Sequence, residues 1–243
     1  MDNNCSFDFK LLFSVPKGEY TRTNIDRPYA LPDDVATIDM GFRTLSTKYE
    51  DQDDLIEDDE YTYGSYLLIF ENGIADNINW IYPLGLRWGI FENEQHTIGV
   101  SASYLFFFSN YSVDYWYRVN SQFSLRPYAR GSHWNLIIAE EKKDYVGAEV
   151  MYQLNKLWSI SLFTHKGSFV SSSDLIDEIL ADVLGSTSKD EDATGDLMAF
   201  GLSTMYSLNE RWDINFNWEN EELSLETEKI QNLSTSFSFT YIW

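Results

Sequence analysis

Apolar and polar side chains alternate one by one through much of this chain. The final segment shows the pattern most clearly, because aromatic residues fill every second position: Phe237, Phe239, Tyr241 and Trp243. Small residues, serine and threonine, lie between them. Successive side chains of a β-strand point to opposite faces, so this pattern predicts a strand with one apolar and one small polar face.

Segments of the same polarity recur from residue 34 onward, for example at 98–108, 146–154 and 212–218. Their apolar face carries almost no charge and is rich in Trp and Tyr, whereas the outward face of a sandwich would carry many charges. The repetition therefore predicts one closed antiparallel sheet over 34–243, preceded by an irregular N-terminal extension over 1–33. We expect about 12 strands. The alternative is 10, if Pro83 merely interrupts one long strand.

The predicted connections alternate between short and long. Tight turns followed by Trp occur at 155–158 and 209–212, and the segments 76–80 and 130–134 are similar to them. Longer acidic loops are predicted between the tight turns, at 48–59, 171–195 and 220–229. Within the second loop, residues 174–184 repeat apolar positions at helical spacing, which predicts a short amphipathic helix.

The alternation, the aromatic final strand and the unequal turns together resemble the bacterial outer-membrane β-barrel proteins over residues 34–243. The resemblance implies an all-β, closed, antiparallel transmembrane barrel in the bacterial outer membrane, with short periplasmic turns and long acidic outer loops. It also implies outer-membrane lipid and lipopolysaccharide as surroundings, and a removed signal peptide, so we expect the sequence shown to be a mature form.

Two sets of aromatic residues follow from that resemblance. The last strand would be the signal read by the barrel-assembly machinery, with Phe237, Phe239, Tyr241 and Trp243 as its apolar face. A girdle at the periplasmic boundary is the second set, and its expected members are Trp80, Trp134, Trp158, Trp212 and Trp243.

The net charge and the cysteine content exclude one class of partner and one kind of cross-link. The net charge of −22 argues against nucleic acid as a partner, because phosphates need a basic surface. Cys5 is the one cysteine, so no intrachain disulfide can form. The acidic runs are interpreted as solvated loops, with divalent cations at these loops as the alternative. Asp190–Asp196 departs from the EF-hand spacing, and no metal or cofactor motif appears.

The inward face should decide the function. By alternation its charged candidates are Asp39, Arg43, Arg87, Arg118, Arg126, Glu149, His165, Asp213 and Glu219. Such groups either pair into a plug or line a narrow water path, and we favour a channel for small hydrophilic solutes or ions.

Three alternatives to a hydrophilic channel remain open. One is a non-conducting structural or adhesion barrel that acts through its acidic loops. Another is a lipid-modifying enzyme, which would need a Ser–His pair such as His165 with Ser161 or Ser168; we expect no catalytic residue. The last is a channel for hydrophobic solutes, for which Leu105, Phe107 and Phe163 are the hint.

Overall fold

The computed structural model describes residues 21–51, 60–136, 139–172, 193–224 and 228–243. Within these ranges the chain forms a closed antiparallel barrel of twelve strands, each paired with its neighbours in sequence. A single 3-10 turn at Asn24–Asp26 precedes them. The strands are β1 Ala36–Asp51, β2 Glu60–Ala75, β3 Ile78–Ile81, β4 Leu84–Glu92, β5 His96–Leu105, β6 Phe108–Arg118, β7 Phe123–Leu136, β8 Ala139–Asn155, β9 Trp158–Ser172, β10 Ala193–Ser207, β11 Trp212–Ser224 and β12 Glu228–Ile242.

The barrel closes where β1 pairs with β12. Met40 lies opposite Phe239 in this register, and both residues face outward. The backbone amide of Ala36 donates to the carbonyl of Trp243 at 2.9 Å, and the Trp243 amide donates back at 3.0 Å. The end where β1 begins and β12 ends is called the base below, and the opposite end the rim.

Asparagine side chains shape four of the turns at the base. Asn93, Asn120, Asn155 and Asn209 each accept a hydrogen bond from the backbone amide two residues ahead. This local bond substitutes for a backbone turn contact and favours a tight reversal. The short turns predicted at 155–158 and 209–212 are confirmed.

The packing is inverted relative to a soluble protein. Large apolar side chains are exposed on the outer face, among them Leu68, Val146 and Leu162 at 71%, 64% and 59%. Many of the buried side chains are polar, including Asn79, Ser159 and several other serines. A barrel in lipid needs this arrangement, because the bilayer covers its outer face and the closed sheet leaves no backbone edge.

Residues 21–35 lie inside the barrel at its base. Leu31 and Val35 form a buried apolar cluster with Ile242 of β12. Other parts of the segment contact inward-facing side chains of several strands. Among the described residues, no helix is long and apolar enough to cross a bilayer.

Four predictions about elements need correction or comment. Residues 130–134 are not a turn, because β7 runs unbroken through them. Most of the loop predicted at 220–229 is strand, since β11 continues to Ser224 and β12 begins at Glu228. Residues 78–90 form two strands joined at Tyr82–Pro83, which gives the higher of the two expected strand numbers. The helix predicted at 174–184 lies outside the described residues.

Replacing Ile242 with Ala should weaken the seam between the barrel and its internal segment. Ile242 is 2% exposed and packs on Leu31 and Val35, so truncation leaves a cavity. We expect the free energy of unfolding in detergent to fall by about 2–5 kcal/mol. Leu68→Ala, on the outer face, is the matched control. Equal losses in the two variants would contradict the buried position of Ile242.

Candidate functional site

All nine charged residues proposed for the inward face lie on that face. Asp39 and Arg43 share the lumen side of β1, and the Arg43 guanidinium donates to Ser234 Oγ at 2.8 Å. Asp213 and His165 are nearly inaccessible, at 1% and 6% exposure. Strand alternation was enough to find them, because parity fixes the face of every residue once one is known.

Arg27 anchors the internal segment to β11. Its Nη1 lies 2.6 Å from Asp213 Oδ2, and both side chains are buried. Nη2 of Arg27 donates to Ser207 Oγ at 3.3 Å, and Ser207 in turn donates to Asp213 Oδ1 at 2.6 Å. A buried guanidinium and carboxylate are stable only as a pair, so this contact fixes the segment at one position.

A second chain of contacts begins at Tyr29. The Tyr29 hydroxyl donates to Asp114 Oδ2 at 3.0 Å, and burial raises the pKa of this phenol, so it stays a neutral donor. Arg87 lies over the Tyr29 ring at 5.7 Å and forms an ion pair with Glu71 at 3.1 Å. Asn79 completes the chain by donating to Glu71.

The backbone of the segment is also held by side chains of the barrel. Asn79 Oδ1 accepts a hydrogen bond from the Leu31 amide at 2.5 Å. The amide of Ile25 donates to Gln153 Oε1 at 3.2 Å, and Arg118 donates twice to the Ile25 carbonyl, at 3.1 and 2.8 Å. These bonds satisfy backbone groups that would otherwise be buried without partners.

Asp114 is the centre of an ion cluster just above the internal segment. It is 2% exposed and accepts from both Arg126 and Arg130, each at 3.1 Å. Arg126 also pairs with Glu149 at 3.3 Å. Asp114 and Arg130 were not among the residues predicted from the sequence. Alternation could have identified Asp114, which has the same parity as Arg118, whereas Arg130 was assigned to a turn.

Two polar cavities lie in the lumen above residues 21–35. The larger, about 510 Å³, has Arg27, Tyr29 and Arg87 in its wall. The smaller, about 310 Å³, is bordered by Glu149, His165 and Glu219. Both share Arg126, Arg130 and Tyr145, so they adjoin at one wall.

His165 sits in the upper part of the lumen among aromatic and acidic groups. Its Nδ1 lies 3.4 Å from the Tyr128 hydroxyl, and its ring stacks on Tyr145 at 4.3 Å. Ser161 is four residues away on the same face, beyond Phe163, whereas alternation turns Ser168 to the opposite face. The described contacts of the imidazole therefore do not include the serine that a hydrolase would need.

Four of the five proposed girdle tryptophans lie near the base. Trp158 and Trp212 begin their strands there, and Phe70 contacts the rings of both Trp80 and Trp243. Trp134 does not belong with them. It lies near the rim on the same face of β7 as Arg130, because the stretch expected to turn is extended.

The remaining apolar candidates lie in different parts of the barrel. Phe237 and Phe239 face outward at 43% and 39% exposure, and their rings meet edge to face. Leu105 and Phe107 lie at an exposed hairpin near the rim. Phe163, by contrast, faces the lumen and stacks with His165.

The closed pairing, the apolar exterior and the polar interior define the class. An even number of antiparallel strands is typical of single-chain bacterial barrels. This chain is a transmembrane β-barrel of the bacterial outer-membrane type, and that fold locates it in the outer membrane.

Comparisons with known proteins give only weak similarities to solved structures. No protein-family model matches the chain, and no curated protein matches it. Among solved structures it is similar to the attachment invasion locus protein Ail of Yersinia pestis, at 10% identity and a TM-score of 0.37 over 87% of this chain and 100% of that one. The outer membrane protease OmpT from Escherichia coli gives 9% identity and 0.40, over 86% and 96%. The TodX monoaromatic hydrocarbon channel gives 8% and 0.43, over 90% and 93%. Similarities this weak say nothing about what the barrel binds or transports.

Neutralising Asp114 should destabilise the barrel far more than neutralising Asp144. Asp114→Asn leaves two guanidinium groups without their shared carboxylate, and we expect a loss of about 1–3 kcal/mol, since Arg126 and Arg130 are partly solvated. Asp144 also pairs with a cation, Lys142, but in an exposed position. Asp144→Asn should cost less than about 1 kcal/mol. Urea unfolding in detergent measures both, and equal losses would contradict the central role of Asp114.

Proposed function

We propose that this barrel is a gated channel for small hydrophilic solutes, held shut by residues 21–35. The observation that carries the proposal is the position of this segment. It lies across the base of the lumen and is bonded to inward side chains that include Asn79, Arg118, Gln153 and Asp213. We infer that a lumen occupied in this way leaves no continuous water path past the segment.

The space above the segment supports a hydrophilic solute. Its walls are mostly charged, amide and hydroxyl groups, with few apolar side chains, and cavities of about 510 and 310 Å³ adjoin there. A lumen that was merely structural would need no such space. The apolar residues that hinted at a hydrophobic solute do not form a lining set, since Leu105 and Phe107 lie at the rim.

The larger cavity favours small anions. Four guanidinium groups line it, from Arg27, Arg87, Arg126 and Arg130, and Asp114 is the carboxylate in the described part of its wall. Among the described residues, the indole Nε1 of Trp116 is a buried donor without an acceptor, and Trp116 belongs to the same wall. Each guanidinium group also pairs with a carboxylate, so the preference rests on the excess of donors over acceptors among the groups that line the cavity, which matches an anionic solute.

The attachment of the segment is compatible with a gate. Residues 21–35 contain one 3-10 turn and no strand, so apart from a backbone bond from Gly73 to Val35 they are held mainly by side-chain contacts rather than by a sheet ladder. Removing a few of these contacts would release the segment without opening the barrel wall.

Planar-bilayer conductance tests the gate. The wild type should be silent or nearly so, because the base of the lumen is filled. Deleting residues 21–33 should give stable, discrete and anion-selective steps. Arg27→Ala combined with Tyr29→Phe is the milder variant, and it should give brief openings, because the segment loses its contacts with Asp213 and Asp114.

Folding and insertion of each variant are checked by heat-dependent gel mobility. A folded deletion variant that stays silent would overturn the channel and favour the non-conducting adhesion barrel. Steady conductance of the wild type, equal to that of the deletion variant, would overturn the gate.

The final strand carries a separate proposal about assembly. Trp243 joins β12 to β1 through its backbone, and its ring contacts Phe70 and Tyr241. Trp243→Ser should therefore lower the amount of inserted protein in cells more than it lowers refolding in detergent, if the barrel-assembly machinery reads this strand. Tyr206→Ser, an outward aromatic on β10, is the control. Normal cellular insertion of Trp243→Ser would contradict the assembly signal.

A further inference from the structure

We propose that His165, Glu219 and Glu221 form a binding site for a divalent transition ion in the upper lumen, with Zn²⁺ as its best match. One nitrogen of the imidazole and one oxygen of each carboxylate lie within 4.8 Å of one another. The three residues come from β9 and β11, which flank β10, so an ion held by them would tie these strands together across the inner face.

The distances require only a small adjustment. His165 Nε2 lies 3.9 Å from Glu219 Oε1. Zinc with bonds of about 2.0–2.2 Å to nitrogen and oxygen holds tetrahedral ligands about 3.3 Å apart. Closing a separation of 4.8 Å, the upper limit for the three atoms, to this value needs each of two side chains to move by roughly 0.8 Å, and the backbone of the sheet can stay where it is.

The imidazole is already oriented for this role. Tyr128 contacts Nδ1 at 3.4 Å and Tyr145 stacks on the ring, so Nε2 is the nitrogen that faces the carboxylates. A metal-binding histidine commonly has its second nitrogen fixed in this way by a hydrogen-bonding group. His165 is 6% exposed, which shields the site from bulk solvent.

The carboxylates have oxygens to spare. Lys143 and Asn232 both donate to Oε1 of Glu221, each at 2.9 Å, which fixes this side chain and leaves Oε2 for an ion. Glu219 has no hydrogen-bond partner among the described residues besides its approach to His165. Lys143 pairs with Glu221, whereas Glu219 has no Lys or Arg at ion-pair distance among the described residues.

The adjoining cavity provides access and an open coordination position. Both His165 and Glu219 border the cavity of about 310 Å³, together with Ser203 and Asn217. A water or a solute group can occupy the fourth position from there. One imidazole with two carboxylates suits zinc or a similar ion better than Ca²⁺ or Mg²⁺, which prefer all-oxygen ligands.

Calorimetric titration of the EDTA-treated, detergent-folded full chain with Zn²⁺ tests the site. We expect one saturable site in the wild type, and affinity reduced by at least about 10–100-fold in His165→Ala and Glu219→Gln. His133→Ala is the matched control, because His133 also lies beside a glutamate, Glu140 at 2.7 Å, but in an exposed position. This control should bind Zn²⁺ as the wild type does.

A variant that keeps all hydrogen bonds and a second metal ion separate loss of metal binding from loss of folding. Glu219→Gln loses no hydrogen bond, so it should fold even if His165→Ala does not. Co²⁺ at the same site should give visible absorption bands that Glu219→Gln abolishes and excess Ca²⁺ leaves unchanged. Absence of Zn²⁺ binding, or binding that survives in both His165→Ala and Glu219→Gln, would overturn the proposal.

Discussion

The lumen of this barrel has to be filled or solvated, and the rest of the structure depends on that constraint. About eight strands close a barrel whose own side chains fill the interior, whereas twelve enclose more space. The chain meets the constraint with its own residues 21–35 at the base and with cavities of about 510 and 310 Å³ above them. The buried pair of Arg27 and Asp213 and the bonds around Asp114 hold that arrangement in place.

The charged side chains of the lumen lie in three layers between the base and the rim. At the base, single pairs join the internal segment to the wall, as Arg27 does with Asp213. Just above, Asp114 is shared by Arg126 and Arg130, and Arg126 also pairs with Glu149, so two cations and two anions meet in this layer. Higher still, Glu219 and Glu221 gather around His165 and Lys143. Because a low-dielectric wall surrounds these groups, their charges influence solutes more strongly than surface charges would.

The fold was predictable from the sequence because alternation survives in almost every strand. Parity also found Asp39, Arg126 and His165, since an inward position depends only on local order. The turn expected at 130–134 failed for a non-local reason. Arg130 pairs with Asp114 of β6, and Gly131 leaves room for the ring of Tyr111, so a polar, glycine-containing stretch remains extended. Similarly, Glu221 looked like loop because its partner Lys143 is distant in sequence.

The internal segment could not be placed from its own residues. Residues 21–35 show no period, and their contacts reach strands more than forty residues away, as between Leu31 and Asn79. Amide hydrogen exchange of the folded protein tests this placement most directly. Exchange at residues 25 and 31, whose amides donate to Gln153 and Asn79, should be slowed about as strongly as in the neighbouring strands. Exchange at the rate of an unstructured peptide, while the strands stay protected, would contradict a lumen closed by its own N-terminal segment.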